Sequence, residues 1–184
     1  METREARIGI VGMGYVGLPL ALLFSGQRFR VTGFDVALNK VETLNAGGSY
    51  IVRIPPAAVH EAQTAGFHAT SNYSEIAEMD AVIICVPTPL NEHHEPDLSY
   101  VRGTVESIAP YIHEDQLIVL ESTTYPGTTE EVVVPLLEAG NPRSPGETSK
   151  VTIDKIEANV SIDPAEFRMP AVAPASSGPA KKEL

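Results

Sequence analysis

Short apolar runs alternate along the first 140 residues with segments whose apolar residues have helical spacing. The first run, Arg7–Val11, ends at a cluster of glycines, and a helical pattern follows it. The strongest run, residues 81–86, is apolar throughout, which is typical of a strand buried on both faces of a parallel sheet. Strands that alternate with helices predict a doubly wound parallel sheet, because parallel neighbours need crossover helices. We therefore expect an α/β fold with about five strands.

The same pattern places the other elements. Further strands are predicted at Arg30–Phe34, His68–Thr70 and 117–121. Helices are predicted at 38–46, at 55–65, at 98–108 and from 128 to about 138. Glycines at 47, 48 and 66 are typical helix ends, and the prolines at 55 and 56 suit a helix start. Thr128 and Glu131 fit a capping box for the last helix, which Pro135 is expected to bend.

The glycine cluster, Gly12-Met13-Gly14-Tyr15-Val16-Gly17, has the G-x-G-x-x-G pattern of dinucleotide-binding loops. It follows a strand and opens a helix, and Asp35 stands 18 residues beyond its last glycine, at the end of the second strand. This context predicts a Rossmann-type nucleotide site rather than a tight connection alone. Gly12 permits the turn, Gly14 admits a pyrophosphate, and Gly17 allows the helix to pack closely on the strand.

The predicted cofactor is NAD. Asp35 would accept hydrogen bonds from the adenosine ribose, and it would repel the 2′-phosphate of NADP. No arginine follows it in residues 36–39 to bind such a phosphate.

Charge excludes one class of partner. The formal net charge is −11, whereas nucleic-acid surfaces need clustered lysine and arginine, so we expect no nucleic-acid binding. The charge is also uneven: residues 1–140 hold 18 acids and 7 bases, and residues 141–184 hold 6 of each. The composition therefore changes near residue 140.

Hydropathy and cysteine content favour a cytoplasmic protein that does not bind or span a membrane. No stretch approaches ~18 consecutive apolar residues, and the start of the chain lacks the apolar core of a secretory leader. The single cysteine, Cys85, lies within an apolar run and is expected to be an inert core thiol. His93 and His94 stand in a polar loop and are expected to be solvated, so no metal site is predicted.

Three phrases carry a family resemblance: GMGYVGLPLA, VPTPL and ESTTYPGTTEEVV. In this order and at these spacings they resemble the NAD-binding domain of the UDP-glucose/GDP-mannose dehydrogenase family, and above all its bacterial branch that oxidises UDP-N-acetylhexosamines. Such enzymes are oxidoreductases of polysaccharide biosynthesis that oxidise the C6 alcohol of a nucleotide sugar to a carboxylate in two NAD-dependent steps. The resemblance covers residues from about 7 to 138.

The resemblance implies a set of residues that contact NAD. Asp35 and Lys40 would lie at the adenosine ribose, and the residues after the fifth strand near the nicotinamide. Without the resemblance, Lys40 is expected to be a solvated helix residue. Threonines at strand ends are common, so by themselves they do not indicate a binding site. The implied cofactor-binding residues are Gly12, Met13, Gly14, Tyr15, Val16, Gly17, Asp35, Lys40, Val86, Pro87, Thr88, Pro89, Leu90, Ser122, Thr123 and Thr124.

The catalytic residues of the family have no counterparts in this sequence. The resemblance places a nucleophilic cysteine and its assisting lysine, asparagine and aspartate in a central domain beyond the length of this chain. We therefore expect a truncated NAD-binding domain, residues 1–140, that is inactive alone, with the UDP-sugar bound only by the full-length family. A non-catalytic NAD-binding or interaction module and a non-functional gene remnant are the alternatives.

Residues 141–184 are expected to be an unrelated tail. Residues 150–162 alternate apolar and polar positions and fit one or two short strands, whereas residues 170–184 are predicted to be disordered. The family's sixth strand is missing from the pattern, so the sheet is expected to be incomplete at the edge of its fifth strand. Either 150–162 docks there, or the bare edge promotes self-association.

Overall fold

The computed structural model describes residues 5–90, 92 and 96–140. Its centre is a five-stranded sheet with the order β3-β2-β1-β4-β5, in which every neighbouring pair is parallel. This is the order of the first five strands of a Rossmann fold, so the predicted fold class is confirmed. The strands are β1 Arg7–Val11, β2 Arg30–Phe34, β3 His68–Thr70, β4 Ala81–Ile84 and β5 Leu117–Leu120.

Five α-helices connect and cover the strands. Helices α1 to α3 share one apolar cluster with β1, which contains Leu18, Leu44 and Val59, and α4 packs in a second cluster that contains Val101 and Ile108. Both faces of the sheet are thus covered, as crossover connections between parallel strands require. The helices are α1 Gly17–Gly26, α2 Leu38–Asn45, α3 Pro56–Thr64, α4 Ser99–Ile108 and α5 Val134–Gly140.

Two strands end earlier than predicted at the carboxyl edge of the sheet. The apolar run 81–86 forms a strand only as far as Ile84, although the N–H of Cys85 still donates to the carbonyl of Val11 at 2.7 Å. The ladder ends there because the partner strand turns away at Gly12, whose φ is +96°. The fifth strand similarly ends at Leu120 rather than at residue 121.

The predicted capping box before the last helix is wrong. The hydroxyl of Thr128 donates to the carbonyl of Tyr125 at 2.7 Å, and no side chain caps this helix start. A π-helical turn at Thr129–Val133 comes first, in which the N–H of Val134 donates to the carbonyl of Thr129. Pro135 explains the wide turn, because it has no N–H to donate and its ring crowds the carbonyl four residues earlier.

The fifth strand lies at one edge of the sheet. Within residues 5–90 and 96–140, β5 pairs with β4 alone, and Leu117 is 48% exposed. The predicted strands at 150–162 and the predicted disorder of 170–184 lie outside the described residues, as do His93 and His94.

Candidate functional site

The predicted site residues gather at the carboxyl edge of the sheet. The chain reverses its direction of strand addition between β1 and β4, and open parallel sheets bind ligands in the crevice outside such a reversal. Three loops converge there: the glycine loop after β1, the segment after β4 and the segment after β5. Asp35 follows β2 on the other side of the glycine loop.

Two glycines of the loop are required by close backbone contacts. A Cβ on Gly12 would lie 2.7 Å from the carbonyl oxygen of Cys85, and the φ of +96° also disfavours a side chain. A Cβ on Gly17 would lie 1.9 Å from the carbonyl oxygen of Gly12. The loop therefore folds back on itself and presses against the end of β4, as the sequence predicted for a tight turn and close helix packing.

Gly14 differs from both, because a Cβ placed there would meet nothing within 4 Å. Its backbone faces open space, and the neighbouring Tyr15 is 85% exposed. No side chain caps the amino end of α1. Uncapped amides at a helix start carry a partial positive charge and are available to an anion.

Asp35 lies buried beside this loop, with 4% of its surface exposed, and its carboxylate accepts several hydrogen bonds. Its Oδ2 accepts hydrogen bonds from the N–H of Met13 and from Nζ of Lys40, both at 2.9 Å. Its Oδ1 accepts one from the N–H of Ala37 at 2.9 Å. A carboxylate oxygen can accept two hydrogen bonds, so Oδ1 retains capacity for a further donor.

Tyr50 also contacts the glycine loop, which the sequence did not predict. It lies between α2 and α3, and its hydroxyl donates to the carbonyl of Met13 at 2.5 Å. Burial, and secondarily the charge of Asp35, raises the pKa of Tyr50, so the hydroxyl keeps its proton. The ammonium of Lys40 stands 5.9 Å from the centre of the same ring.

The loops after β4 and β5 are joined by two side chains. Ser122 donates from its hydroxyl to the carbonyl of Val86, and Thr88 donates to the carbonyl of Thr123, both at 2.7 Å. The segment after β4 then returns toward α4, because the N–H of Asp97 donates to the carbonyl of Pro89 at 2.7 Å. The predicted residues of this second group are Val86, Pro87, Thr88, Pro89, Leu90, Ser122, Thr123 and Thr124.

The structure thus brings the sixteen predicted residues together as two groups. The first comprises the glycine loop, Asp35 and Lys40, and the second comprises the two joined loops. They meet where Gly12 packs against the backbone of Cys85 and Val86. Within the described residues, the side chain of Asp35 accepts hydrogen bonds from Met13, Ala37 and Lys40, and none of these belongs to the second group.

The thiol at this meeting point is suited to packing. Cys85 is 8% exposed, and burial, together with the nearby charge of Glu121, raises its pKa to about 11. A thiol is nucleophilic as its thiolate, so this environment suppresses reaction. The expectation of an inert core cysteine agrees with its burial.

These residues fit a dinucleotide. The open space at Gly14 and the start of α1, which has no side-chain cap, suit a pyrophosphate, and the buried carboxylate at the end of β2 suits a ribose. Residues 6–171 match the NAD binding domain of the UDP-glucose/GDP-mannose dehydrogenase family. The chain belongs to this family. The matched region extends past residue 140, and the domain boundary predicted there stays a prediction.

Two curated relatives of this chain are bacterial dehydrogenases. It is 37% identical over 135 residues to UDP-N-acetyl-D-glucosamine 6-dehydrogenase of Pseudomonas aeruginosa, an alignment that covers 73% of the chain and 31% of the relative. It is 36% identical over 152 residues to UDP-N-acetyl-D-mannosamine dehydrogenase of Escherichia coli K12, covering 80% and 36%. The chain spans about a third of the length of these relatives.

Solved structures of the family share its fold. GDP-mannose dehydrogenase from Pseudomonas aeruginosa superposes with a TM-score of 0.68 at 33% identity, over 73% of this chain and 32% of that one. NDP-N-acetyl-D-galactosaminuronic acid dehydrogenase from Methanosarcina mazei superposes with a TM-score of 0.70 at 33% identity, over 78% and 33%. The chain is therefore an NAD-binding domain with the fold of the corresponding domain in these dehydrogenases.

None of the helices in the described parts of the chain is long and apolar enough to cross a membrane. No group of three or more His, Cys, Asp or Glu side chains in residues 5–90, 92 and 96–140 could hold a metal ion.

Proposed function

We propose that this domain holds NAD for a nucleotide-sugar 6-dehydrogenase, with the adenosine ribose at Asp35 and the pyrophosphate at residues 12–17. The nicotinamide lies toward the joined loops at 86–90 and 122–124. NAD, when bound, supplies the hydride acceptor for oxidation of a C6 alcohol to a carboxylate. The residues of this chain bind and orient the cofactor, and the UDP-sugar is bound by the whole protein.

One contact carries this proposal: the N–H of Met13 donates to Oδ2 of Asp35 at 2.9 Å. Through it the loop that faces the pyrophosphate and the carboxylate that faces the ribose form a single unit before any ligand arrives. Preorganised donors and acceptors reduce the entropy lost on binding, which favours a nucleotide that spans both.

The same carboxylate supports NAD rather than NADP. Asp35 is nearly fully buried, and its negative charge lies where a 2′-phosphate would have to approach. Lys40 is the nearest cation, but it is already paired with Asp35 at 2.9 Å. A phosphate would have to break this pair to gain the lysine.

Fluorescence titration of the full chain with NADH and NADPH tests the proposal. We expect NADH to bind more tightly than NADPH. Equal affinities, or tighter binding of NADPH, would contradict the assignment of Asp35 to the ribose. A chain that folds and binds neither nucleotide would overturn the proposed function.

The sugar-oxidising role belongs to the whole protein in this proposal. The resemblance implies a cysteine nucleophile, and covalent catalysis of this kind requires an activated thiolate at the substrate carbon. The one cysteine of the chain is buried beneath the glycine loop. We expect no NADH formation when the 184-residue chain is incubated with NAD and UDP-glucose, UDP-N-acetylglucosamine or UDP-N-acetylmannosamine. Turnover that Cys85→Ser abolishes would contradict this view of Cys85.

The proposal also includes self-association through the edge of β5. The strand Leu117–Leu120 is wholly apolar, and among the described residues it pairs on one side only. Edges of this kind form hydrogen bonds with other chains. Sedimentation velocity should show a concentration-dependent rise in mass. The N–H groups of Leu117 and Glu121 donate to β4, so the N–H of Ile118 points to the open side of the strand. Ile118→Pro should therefore abolish the rise, and a rise that persists in this variant would place the contact elsewhere.

A further inference from the structure

The peptide units on either side of Met13 are fixed by two different segments of the chain. The N–H of Met13 donates to Asp35, and its carbonyl accepts from the hydroxyl of Tyr50. The Met13 side chain is fully buried, and its sulfur lies 2.6 Å from where a Cβ on Gly33 would stand. Met13 therefore anchors the loop through two backbone hydrogen bonds and through the packing of its side chain.

Tyr50 is well placed to hold this anchor. Its ring packs at the border of the apolar cluster that contains Met13, and the turn around it is braced by Ser49, whose hydroxyl donates to the carbonyl of Ile51 at 3.2 Å. The residue immediately beyond the anchored carbonyl is Gly14, whose backbone faces open space.

We propose that Tyr50 is a positioning residue for the cofactor, which holds the Met13 carbonyl so that the amides from Gly14 to Gly17 keep the direction in which they meet the pyrophosphate. The inference rests on the proposed NAD site and adds to it a residue outside the glycine motif. Tyr50 acts through the loop, so its effect falls on the phosphates. The adenosine is spared because its partner Asp35, although bonded to Met13, keeps two further hydrogen bonds, from Ala37 and Lys40, when the loop loosens.

The substitution Tyr50→Phe removes the hydroxyl and keeps the ring. Loss of one neutral hydrogen bond corresponds to a change of about threefold to tenfold in an equilibrium constant. We therefore expect the Kd for NADH to rise by about that factor. In competition against NADH, the Kd for ADP should rise by the same factor, whereas that for adenosine should stay at the wild-type value.

Hydrogen exchange of the ligand-free chain provides a readout that does not depend on nucleotide. Peptides that cover residues 13–18 should exchange faster in Tyr50→Phe than in the wild type, while peptides from α4 should not change. Ser25→Ala is the matched control, because it removes a buried hydroxyl that donates to the Ala21 carbonyl at 2.8 Å, near the far end of α1. This control should leave both the loop exchange and the ADP affinity at wild-type values.

The outcomes separate this inference from the proposed function. Unchanged loop exchange in Tyr50→Phe overturns it, as does a loss of affinity that is equal for adenosine and ADP, since that result indicates general destabilisation. If the wild-type chain binds no NADH, the proposed function fails, and the exchange rates alone then support or overturn the hold of Tyr50 on the loop.

Discussion

The hydroxyl of Ser122 donates to the carbonyl of Val86 at 2.7 Å, across 36 residues of sequence. Thr88 makes the reciprocal bond to Thr123. Each of the two loops therefore supplies one hydroxyl and one carbonyl, and the register of β4 against β5 brings the two pairs opposite each other. The segments that follow the two strands behave as one wall of the crevice.

The first prediction concerns this wall. Ser122→Ala should lower the free energy of unfolding by about 1 kcal/mol, the usual net value of one neutral hydrogen bond. Because we propose that this loop lies on the nicotinamide side, the substitution should weaken binding of NADH and leave binding of ADP unchanged. Chemical denaturation and competitive titration measure the two effects.

The control for this variant is Ser107→Ala, which removes a hydroxyl that donates to the Gly103 carbonyl within α4. It should leave the affinities for NADH and ADP at their wild-type values. Equal weakening of ADP and NADH by Ser122→Ala would place the joined loops away from the nicotinamide.

The second prediction concerns Asp35. Asp35→Ala leaves the buried N–H of Met13 without its acceptor and removes the proposed partner of the ribose, so NADH binding should weaken by about 1–3 kcal/mol. The preference for NADH over NADPH should shrink as well, because the repelling charge is gone. Lys40→Met keeps the bond between Asp35 and Met13 and should retain that preference. Titration of both variants with both nucleotides decides the matter.

The sequence predicts the sheet and the glycine loop because both depend on local signals. The run Arg7–Val11 and the residues after it report strand, turn and helix through spacing and residue type alone. The position of an acid at the end of β2 is likewise part of the motif. These features need no knowledge of distant contacts.

The anchoring contacts could not be predicted in the same way. The bond from Tyr50 to Met13 spans 37 residues, and the turn that carries Tyr50 has no apolar period. The capping box failed for a related reason: Thr128 had a nearer acceptor in the carbonyl of Tyr125, and Pro135 changed the helical turn. Both results depend on tertiary placement or on competition between hydrogen bonds.

The third prediction concerns the reactivity of Cys85. Its pKa is raised from 9.0 to about 11, so the folded chain should carry about a hundredfold less thiolate than the unfolded chain near pH 8. Reaction with a disulfide reagent should be correspondingly slow until the chain is unfolded in denaturant. Fast labelling of the native chain would contradict the burial of this thiol.

The same shift gives stability a pH dependence. The folded state binds the thiol proton more tightly than the unfolded state, so this contribution is present in full below pH 9 and is lost as the pH rises to about 11. Between these values, the free energy of unfolding should fall more steeply in the wild type than in Cys85→Ala. Urea denaturation at several pH values compares the two slopes.

The last prediction separates two glycines of one loop. Gly14→Ala places a methyl group in open space, so the free energy of unfolding should change by less than about 0.5 kcal/mol. In the proposed site that methyl group occupies the approach of the pyrophosphate to the backbone, so NADH affinity should fall by roughly tenfold or more. Gly17→Ala instead drives a Cβ to 1.9 Å from the Gly12 carbonyl oxygen and should cost about 3 kcal/mol of stability, at the upper end of overpacking effects. Gly26→Ala, in the same helix with nothing within 4 Å, should retain both stability and affinity. If Gly14→Ala binds NADH as the wild type does, the pyrophosphate does not lie against this loop.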